Sequence, residues 1–365
     1  MKICHLTSVH THTDIRVFYK ECRSLAQAGY EVHYVVPGTE DALIDGIHLH
    51  GVTEEKGSRF RRMTKTVDRV YKKAIQIDAQ IYHFHDPELI PIGLKLKKLG
   101  KKVIYDIHED MPRAIMSKYW IPVIIRKPVA AVFEAYENYS AKKFDFLITA
   151  TPYITKRFNN INPNTINVNN FPLLNEFAGS RADVELTKTN SVCYIGVISH
   201  IRGVKQVLEA ANYIKGTIEF AGRVGSEDIL EILHSQKNVQ YHGTLNRGEV
   251  KSVLSRSVAG IVTFLPEPNH IHSQPNKMFE YMSAGIPVIC SNFPKWKEII
   301  EKHKCGICVD PNDSQAIADA INYFLTNPET AALLGKNGQK AIKAEYNWEA
   351  ESRHLISIYE KLSAD

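Results

Sequence analysis

The chain of 365 residues contains no apolar run approaching the roughly 18–20 residues that a membrane-spanning helix requires. Its N-terminus, MKICHLTSVHTHTD, is interrupted by polar residues too early to hold the apolar core of a secretory signal. A formal net charge of +5 is modest for this length and gives no argument for nucleic acid as a partner. We therefore expect a cytoplasmic protein, with peripheral binding to the inner face of the cell membrane as an open alternative.

Cysteine is scarce and scattered, with six residues in the chain. Cys4, Cys193, Cys290 and Cys308 lie inside β-like apolar runs, where cysteine usually serves as a small buried hydrophobe. Cys305 and Cys308 form a C-x-x-C, but this pair stands in a strand-like segment without the second pair that a zinc site needs. Structural cysteines are therefore favoured over a redox or metal site.

The histidines do not predict a metal site either. His10, His12, His83 and His85 are close in number and spacing, and His83 and His85 would share one face of a strand. The sequence fixes no pair of carboxylates near them. We expect no metal and no other cofactor.

A glycine-rich dinucleotide fingerprint is also missing. Where G-x-G-x-x-G would follow the first predicted strand, the chain has Ser8-Val9-His10-Thr11. A nicotinamide-dependent dehydrogenase is therefore not expected.

What the chain does have is an alternation of short β-rich runs and amphipathic helical stretches. Strands separated by helices of this length indicate parallel sheets with right-handed crossovers. Two successive sets of strands, interrupted by a polar stretch at 169–190, predict two doubly wound α/β domains rather than one barrel. The predicted strands are 2–9, 31–37, 47–52, 81–85, 102–107, 146–150 and 165–168, then 191–197, 216–221, 239–243, 259–265, 286–291 and 306–309.

The predicted boundaries place an N-terminal domain at 1–172, a second domain at 173–345 and a last helical segment at 346–365. In this last segment the apolar residues form one stripe along a helix. A helix that follows a completed second sheet needs a surface to pack on, and the first domain offers one.

In open parallel sheets, ligands bind beyond the carboxyl ends of the strands. In the second half of the chain, three of these ends carry Gly196, Gly222 and Gly243, which allow a ligand close to the backbone. The fourth runs into SQPNKMFEYMSAGIP, at 273–287, where a proline at the helix start leaves free amides that favour an anion. Lys277 adds positive charge there, and Glu280 lies one turn further on. The alternative is a surface helix with an ordinary Lys–Glu pair.

Four motifs in order, GVISHIRGV and PNKMFEYMSAGIPVI in the second half and FHDPEL and YDIHED in the first, resemble retaining family-four glycosyltransferases. The resemblance is to the bacterial surface-polysaccharide type. It implies the GT-B fold, in which two Rossmann-like domains face a cleft and the C-terminal helix crosses back to the first domain. It also implies transfer of a sugar from a nucleotide sugar, with retention and without a metal.

The resemblance assigns roles only where residues match. Glu280 matches the second glutamate of the E-x7-E motif, which holds ribose, and Arg202 and Lys277 match positions that face the diphosphate. His108 matches a histidine near the reacting sugar. These four are the expected catalytic residues. The full expected donor-binding set is Gly196, Arg202, Gly222, Arg223, Gly243, His272, Ser273, Pro275, Asn276, Lys277, Met278 and Glu280.

Two positions depart from the family pattern. The first glutamate of E-x7-E is replaced by His272, and the arginine that often follows the strand-end glycine is replaced by Val197. With that arginine gone, we expect Arg202 and Lys277 to share the diphosphate, with help from Arg223. With the acid gone, the identity of the sugar stays open.

In the first half, the expected acceptor side consists of His10, Asp14, Arg16, His85 and Glu109. Glu109 would assist the acceptor hydroxyl or pair with Arg113. Asp86 is expected to cap a helix, with Glu88 in its first turn. No carboxylate stands out as a nucleophile, and the resemblance implies a front-face reaction in which the leaving phosphate takes the acceptor proton.

Two segments of the first half suggest a membrane surface. Arg59, Arg61, Arg62, Lys65, Arg69, Lys72 and Lys73 are interleaved with apolar residues at helical spacing, and 118–127 is apolar with basic flanks. Such segments bind anionic lipid, which favours a lipid-linked acceptor. A solvated basic face with ordinary core residues is the alternative.

The expected partners are therefore a nucleotide-sugar donor, UDP- or GDP-linked, a glycan or lipid-linked acceptor and an anionic membrane surface. Two rival functions stay open. One is an epimerase of the same fold that acts on a nucleotide-linked sugar, and the other is a nucleotide-sugar-binding module without catalysis.

Overall fold

The computed structural model describes residues 1–55, 57, 59–118, 120–174, 176–177 and 190–364. The chain divides into two compact units. The first comprises Met1–Asn170 with Trp348–Asp365, and the second comprises Phe171–Asn347. Most of the predicted linker at 169–190 lies outside the described residues.

The first unit is built on an eight-stranded sheet, parallel except at one edge, with the order β3-β4-β2-β1-β5-β6-β7-β8. The central strands are buried on both faces, as expected when helices cover both sides of a parallel sheet. The strands are β1 (Lys2–Leu6), β2 (Glu31–Pro37), β3 (Ala42–Ile44), β4 (Ile47–Val52), β5 (Ile81–Phe84), β6 (Lys102–Ile107), β7 (Phe146–Thr149) and β8 (Thr165–Asn167).

The helices of this unit include two stretches with the wider π-type hydrogen bonding, at Ile15–Cys22 and Arg62–Thr66. Such stretches are rare and frequently occur at functional sites. The helical segments are Ile15–Cys22, Arg23–Gln27, Arg59–Arg61, Arg62–Thr66, Val67–Ile77, Pro87–Leu89, Ile90–Lys98, Met111–Met116, Val123–Ala141, Pro152–Phe158 and Trp348–Ala364.

The last helix, Trp348–Ala364, packs within the first unit. The indole Nε1–H of Trp348 donates to Ser24 Oγ at 2.9 Å, and the backbone N–H of Asn169 donates to Glu351 Oε2 at 2.8 Å. Tyr359 is fully buried and meets histidines of β1 and β5. The predicted apolar stripe of this helix therefore finds its partner surface on the first domain.

The second unit contains a six-stranded parallel sheet with the order β11-β10-β9-β12-β13-β14. Its strands are β9 (Ser191–Ile195), β10 (Thr217–Ala221), β11 (Val239–Tyr241), β12 (Gly260–Val262), β13 (Val288–Ser291) and β14 (Gly306–Val309). Its helical segments are His200–Arg202, Val204–Ala210, Ala211–Tyr213, Glu227–Ser235, Arg247–Arg256, Asn276–Ala284, Pro294–His303, Ser314–Thr326 and Pro328–Ala344.

Tyr281 fixes the helix Asn276–Ala284 to the middle of this sheet. The backbone N–H of Ile195 donates to its hydroxyl at 3.0 Å, and that hydroxyl donates to the carbonyl of Ile261 at 3.3 Å. A Cβ atom placed on Gly260 would lie 2.3 Å from the Tyr281 ring. The glycine in β12 therefore makes room for the tyrosine that positions the helix.

The strand series predicted from the sequence is present in both units. The missed element is β3, an exposed edge strand that pairs with β4 across the two-residue turn Asp45-Gly46, where both residues have a positive φ. All six cysteines are free thiols, and the two sulfur atoms of Cys290 and Cys308 are 3.7 Å apart on neighbouring strands.

Among the described residues, no helix is both long and apolar enough to cross a bilayer. The basic segment at 59–73 is helical, and several of its cations have internal partners. Arg62 pairs with Glu88, Arg69 with Glu55, Lys72 with Asp68 and Lys73 with Asp41. Tertiary contacts therefore bring acids from outside the segment, which offset part of its positive charge.

Candidate active site

The carboxyl ends of β9, β10 and β11 are joined through backbone groups of glycines. The N–H of Gly196 donates to Ala221 O and the N–H of Gly222 donates to Gly243 O, each at 2.7 Å. A Cβ atom on Gly222 would lie 2.0 Å from Gly196 O. Gly222 is therefore required by close approach of two chain segments, which corrects the prediction that it leaves room for a ligand. Gly243 has a positive φ of 71° and open space where a Cβ would be.

Lys277 lies in the first turn of the helix Asn276–Ala284 and points toward the end of β9. Only 7% of it is exposed, and its Nζ has no hydrogen-bond partner among the described residues. The Nζ lies 4.3 Å from the centroid of the Tyr194 ring. A Cβ on Gly196 would lie 3.2 Å from Lys277 Cε, so that glycine gives the lysine its space. A buried amine without a partner is costly unless a ligand supplies the anion.

Arg202 shares the aromatic surface beneath Lys277. Its guanidinium carbon lies 5.1 Å from the Phe264 ring centroid, and Lys277 Nζ lies 5.4 Å from the same centroid. Burial, followed by the charge of Arg202, lowers the pKa of Lys277 well below its usual value. Two cations that repel each other beside the start of a helix form a site suited to a diphosphate.

Glu280 is held by a residue that the sequence analysis did not select. Arg247 Nη1 donates to Glu280 Oε1 at 3.0 Å, and Arg247 Nε donates to Glu176 Oε1 at 2.8 Å. The guanidinium carbon also lies 4.7 Å from the Phe177 ring centroid. Arg247 therefore fixes one oxygen of Glu280, which corrects the alternative of an ordinary Lys277–Glu280 surface pair.

The remaining predicted donor residues are spread between surface and core. His272, Asn276 and Arg223 are exposed. The Ser273 hydroxyl donates to His270 O at 2.8 Å, which makes it part of a turn. Pro275 occupies the position that precedes the helix instead of its first position.

Met278 does not contact a donor through its side chain, contrary to the prediction. Its side chain is fully buried in the core, and its backbone N–H donates to Pro275 O at 3.0 Å. The helix face that carries Met278 packs on the sheet, and Lys277 is the neighbour that faces the strand ends.

In the first unit, His108 belongs to a chain of polar contacts at the end of β6. Its Nε2 lies 2.8 Å from Asp106 Oδ2, and Arg16 donates to both oxygens of Asp106 at 2.9 and 2.8 Å. Burial pushes the pKa of Asp106 upward, but Arg16 and His108 outweigh burial and hold it well below its usual value. The ionised Asp106 therefore orients the His108 ring, whose side chain is 20% exposed.

His10 lies on the neighbouring loop. Its Nδ1 is 2.8 Å from Asp14 Oδ2, and its ring centroid is 5.2 Å from that of His108. Burial lowers its pKa, but the hydrogen bond to Asp14 and the charge of Asp86 raise it above the usual value. Asp14 also accepts from the N–H of Val17 and caps the helix Ile15–Cys22. The structure thus gives Asp14 a structural contact that the acceptor-side prediction did not include.

Two predicted acceptor-side residues are buried. Arg16 is 4% exposed and also donates through Nη1 to Val168 O, and His85 is 2% exposed. Both predictions of acceptor contact are corrected, because these side chains act on Asp106 and its neighbours. Glu109 is exposed. Arg113 pairs with Asp110 and Glu134, so its predicted pairing with Glu109 is wrong.

Asp86 does not cap the helix that follows it. Its carboxylate accepts from the Thr7 hydroxyl and from the N–H of Ser8, each at 2.7 Å. Glu88 accepts from the Ser8 hydroxyl at 2.8 Å and pairs with Arg62. These contacts join the end of β1 to the end of β5 and build the loop that carries His10.

Two family models match adjacent halves of the chain. The model described as Glycosyltransferase Family 4 matches residues 16–168, and the one described as Glycosyl transferases group 1 matches residues 179–341. The chain is a family-four glycosyltransferase of the GT-B type. The site at the helix Asn276–Ala284 lies within the group 1 match. His85 and His108 lie within the family 4 match, which begins after His10.

Individual relatives are distant. An uncharacterized glycosyltransferase of Methanocaldococcus jannaschii, MJ1607, is 21% identical over 98% of both chains. The O-antigen chain mannosyltransferase C of Escherichia coli is 26% identical over 49% of this chain and 47% of its own length. The chain spans only about a fifth to a half of several further relatives. The structure of Anabaena HepE in complex with UDP and glucose has a TM-score of 0.73 at 15% identity, covering 100% of both chains.

The sequence analysis missed Arg247 and Glu176, and it missed the buried Glu21, whose Oε1 lies 3.0 Å from Arg16 Nε. Arg247 begins the helix after β11, so reading that strand end a few residues beyond Gly243 would have included it. Glu21 lies in the middle of an amphipathic helix and Glu176 in a polar segment. Neither carries a sequence signal of its own.

Proposed function

We propose that this glycosyltransferase moves a sugar, with retention, from a UDP- or GDP-linked donor to a glycan or lipid-linked acceptor in surface-polysaccharide synthesis. The buried, unpartnered Lys277 carries the donor half of the proposal, because a diphosphate would supply the anion that its position requires. Arg202 and the amides at the helix start would share that charge. These groups could neutralise the leaving diphosphate without a metal.

Glu280 is proposed to accept hydrogen bonds from the ribose hydroxyls. Arg247 holds one of its carboxylate oxygens in place, which pre-orients the other for a ligand. The complex of HepE with UDP and glucose, and relatives described as mannosyltransferases, one of them GDP-mannose-dependent, favour testing UDP-glucose and GDP-mannose first.

The proposed reaction occurs on one face of the sugar. The bond from the anomeric carbon to the diphosphate oxygen breaks, the acceptor oxygen bonds to the same face, and the acceptor proton goes to the departing diphosphate. His108, oriented by Asp106, would hold the sugar and stabilise its developing charge. The exposed Glu109 stays a candidate for contact with the acceptor.

A membrane-bound acceptor is supported by the helix Val123–Ala141. Its residues Val123, Ile124 and Val132 are 73%, 89% and 71% exposed, an unusual display of aliphatic surface. The exposed Lys127 belongs to the same helix. Apolar side chains beside cations suit an anionic bilayer surface. The predicted stretch 118–127 thus includes the start of this surface, and Tyr119 lies outside the described residues.

The decisive experiment supplies a panel of UDP- and GDP-sugars with and without glycan and lipid-linked acceptors. Release of nucleoside diphosphate that depends on acceptor, with an α-linked donor giving an α-linked product by NMR, would support retaining transfer. An isomerised donor would favour the epimerase, and binding without turnover would favour the non-catalytic module. An inverted product would overturn the front-face reaction.

Flotation with liposomes containing anionic lipid tests the membrane part. We expect the wild type to float at low salt and the double variant Ile124→Glu/Val132→Glu to stay in solution. Leu333→Glu, which alters an aliphatic residue 60% exposed in the second unit, is the matched control and should float. Wild-type protein that does not float would contradict the membrane proposal and leave the transferase proposal standing.

A further inference from the structure

Next to His10 and His108 in the first unit lies a second group of polar side chains. These side chains are buried, and the proposed reaction does not use them. The group consists of His5, Glu21, His83 and His85, all between 0% and 2% exposed. One ligand atom from each lies within 4.8 Å of the others. Charged side chains are almost never fully buried without a partner or a metal. The burial of these four side chains together therefore requires a physical explanation.

The sheet brings the histidines together. His5 on β1 is in register with His83 on β5, and their ring centroids are 4.4 Å apart. His85 follows two residues after His83 and therefore lies on the same face. Its Nε2 is 3.0 Å from His5 Nδ1. Glu21 comes from the helix Ile15–Cys22, which covers this face.

The carboxylate of Glu21 points at the three rings. Its Oε2 lies 3.9 Å from His5 Nδ1, 4.0 Å from His83 Nε2 and 3.9 Å from His85 Nε2. Neither Glu21 oxygen has a hydrogen-bond partner among the described residues, and the same is true of His83 Nε2. These distances are too long for direct hydrogen bonds. They exceed by about 0.6–0.7 Å the spacing of roughly 3.3 Å between ligands around a four-coordinate zinc ion.

In each histidine, the ring nitrogen that is farther from Glu21 has a partner. The nitrogen nearer Glu21 is therefore left to bind a metal ion. His5 Nε2 and His83 Nδ1 lie 3.1 and 2.8 Å from the Tyr359 hydroxyl. His85 Nδ1 lies 3.2 Å from Asp106 Oδ2. Metal-binding histidines characteristically place their second nitrogen on such a partner, which fixes the tautomer and the ring orientation.

Charge favours a cation in this group. Glu21 and Asp106 are two buried carboxylates with one buried guanidinium, that of Arg16, between them. The Arg16 Nε–H is donated to Asp106, although Glu21 Oε1 is 3.0 Å from the same nitrogen. Burial and then the charge of Asp106 raise the pKa of Glu21 well above its usual value. Without a metal, Glu21 would therefore hold a proton that a divalent cation would displace.

We propose that His5, Glu21, His83 and His85 form a closed structural site for Zn²⁺, with the four protein ligands His5 Nδ1, Glu21 Oε2, His83 Nε2 and His85 Nε2. Imidazole nitrogens with one carboxylate suit zinc, and four protein ligands leave no open position for catalysis. The ion would join β1, β5 and the helix Ile15–Cys22. Through Tyr359 it would also fix the last helix. This zinc site is separate from the donor site at Lys277, where we propose sugar transfer without a metal.

Zinc binding would displace a proton from His5 Nδ1 or His85 Nε2, since their contact of 3.0 Å requires one nitrogen to donate. It would also fix the His85 Nδ1–H toward Asp106, which in turn orients His108. His85 is therefore a positioning residue in this proposal.

The test uses the full chain without an affinity tag, expressed with added ZnCl2 and passed over a chelating resin. Elemental analysis should find about one zinc per chain, as a closed site predicts. Glu21→Gln should lose zinc at least about tenfold more readily, since the ligand loses its charge. His354→Gln, a change at an exposed histidine of the same unit, should retain zinc. Refolding with CoCl2 should give the visible absorption of four-coordinate Co²⁺ in the native chain and not in Glu21→Gln.

Glu21→Gln also separates the metal from the simpler alternative of a stored proton, because glutamine resembles the protonated acid. If zinc is bound, the variant should melt at lower temperature than the native chain refolded with ZnCl2. If only a proton is held, the variant should melt at the same or a higher temperature. Native protein that contains no zinc after refolding with ZnCl2, shows no Co²⁺ absorption and melts no higher with zinc than with chelator would overturn the proposal. Circular dichroism of Glu21→Gln and of the native chain serves as the check on folding.

Discussion

The Nζ atom of Lys277 lies 4.3 Å from the ring centroid of Tyr194, above the end of β9, with no hydrogen-bond partner among the described residues. The ring face partly compensates for the positive charge, because a cation–π contact stabilises the charged form by about 0.5–2 kcal/mol. This is less than burial of an unpaired ammonium costs. The lysine is therefore arranged for an anion that arrives with the substrate.

Replacing this lysine should weaken donor binding and should maintain or increase the stability of the ligand-free chain. For Lys277→Met, we expect the Kd for UDP to rise about 10- to 100-fold, the equivalent of one lost charged hydrogen bond. The unfolding temperature without ligand should stay level or rise, because the variant buries no unpaired charge. Calorimetry and thermal melts measure the two effects. Lys297→Met, at a lysine 53% exposed in the same unit, should change neither. Unchanged UDP affinity would refute the diphosphate role.

The pH dependence of donor binding has a definite sign. In the free chain, burial and then Arg202 depress the pKa of Lys277, and a bound diphosphate would raise it. Binding therefore takes up a proton between these two values. UDP affinity should be greatest below the depressed pKa and fall as the pH rises through it. Lys277→Arg, whose charge does not titrate, should flatten this part of the profile. If the fall of UDP affinity with pH persists in Lys277→Arg, it is caused by another titratable group.

Substitutions at Glu280 and Arg247 should have different effects: the first should change UDP affinity, and the second should change folding stability. Glu280→Gln should weaken UDP binding about tenfold or more with little change in stability, because the amide still accepts from Arg247. Arg247→Met leaves Glu280 and Glu176 without their shared cation and should cost about 1 kcal/mol, modest because Arg247 is 38% exposed. Chemical denaturation and calorimetry compare the variants. Equal UDP affinity in Glu280→Gln and the native chain would contradict the ribose assignment.

His108 should affect turnover more than binding. Its imidazole is oriented by the ionised Asp106, and we place it beside the reacting sugar. For His108→Gln, kcat should fall about 10²- to 10⁴-fold, the range for loss of a positioned side chain in the transition state. KM for the donor should change little, since the proposed nucleotide site lies in the second unit. His354→Gln is the control for a histidine change in the same unit, and native turnover in His108→Gln would exclude the role.

Gly260 provides a test of the packing that positions the donor helix. A Cβ at this residue would lie 2.3 Å from the Tyr281 ring, so Gly260→Ala should destabilise the chain by about 1–3 kcal/mol. Tyr281→Phe keeps the ring but removes the hydroxyl that bridges β9 and β12, at a cost of about 1 kcal/mol. Melting curves measure both changes. Full stability of Gly260→Ala would show that Tyr281 can shift without penalty.

Much of the fold could be predicted because buried parallel strands read as apolar runs. The strands that carry the site, such as β6 and β9, follow this rule. β3 was missed although the sequence carries a hairpin signal, because Asp45-Gly46 between two short apolar runs is typical of a two-residue turn that joins antiparallel strands. The predicted roles of Lys277, Glu280 and His108 stay predictions.

The partners of these residues needed the tertiary structure. Arg247 reaches Glu280 across 33 positions of the chain, and Arg16 reaches Asp106 across 90. No local pattern marks such pairs. The sequence predicted Arg16 and His85 at the acceptor surface because they follow or adjoin strand ends, whereas the structure buries both.

By itself, the sequence determined the two-sheet architecture, the presence of a helix after Ser273 and the family, because strand periodicity and short motifs are local properties. The tertiary structure decided which charges are paired. It left Lys277 without a partner beside Tyr194, paired Arg247 with Glu280, and brought His5, His83 and His85 around Glu21. The physical reason is that burial and counter-ions arise from contacts between distant segments, and these contacts exist only once the strands have found their neighbours.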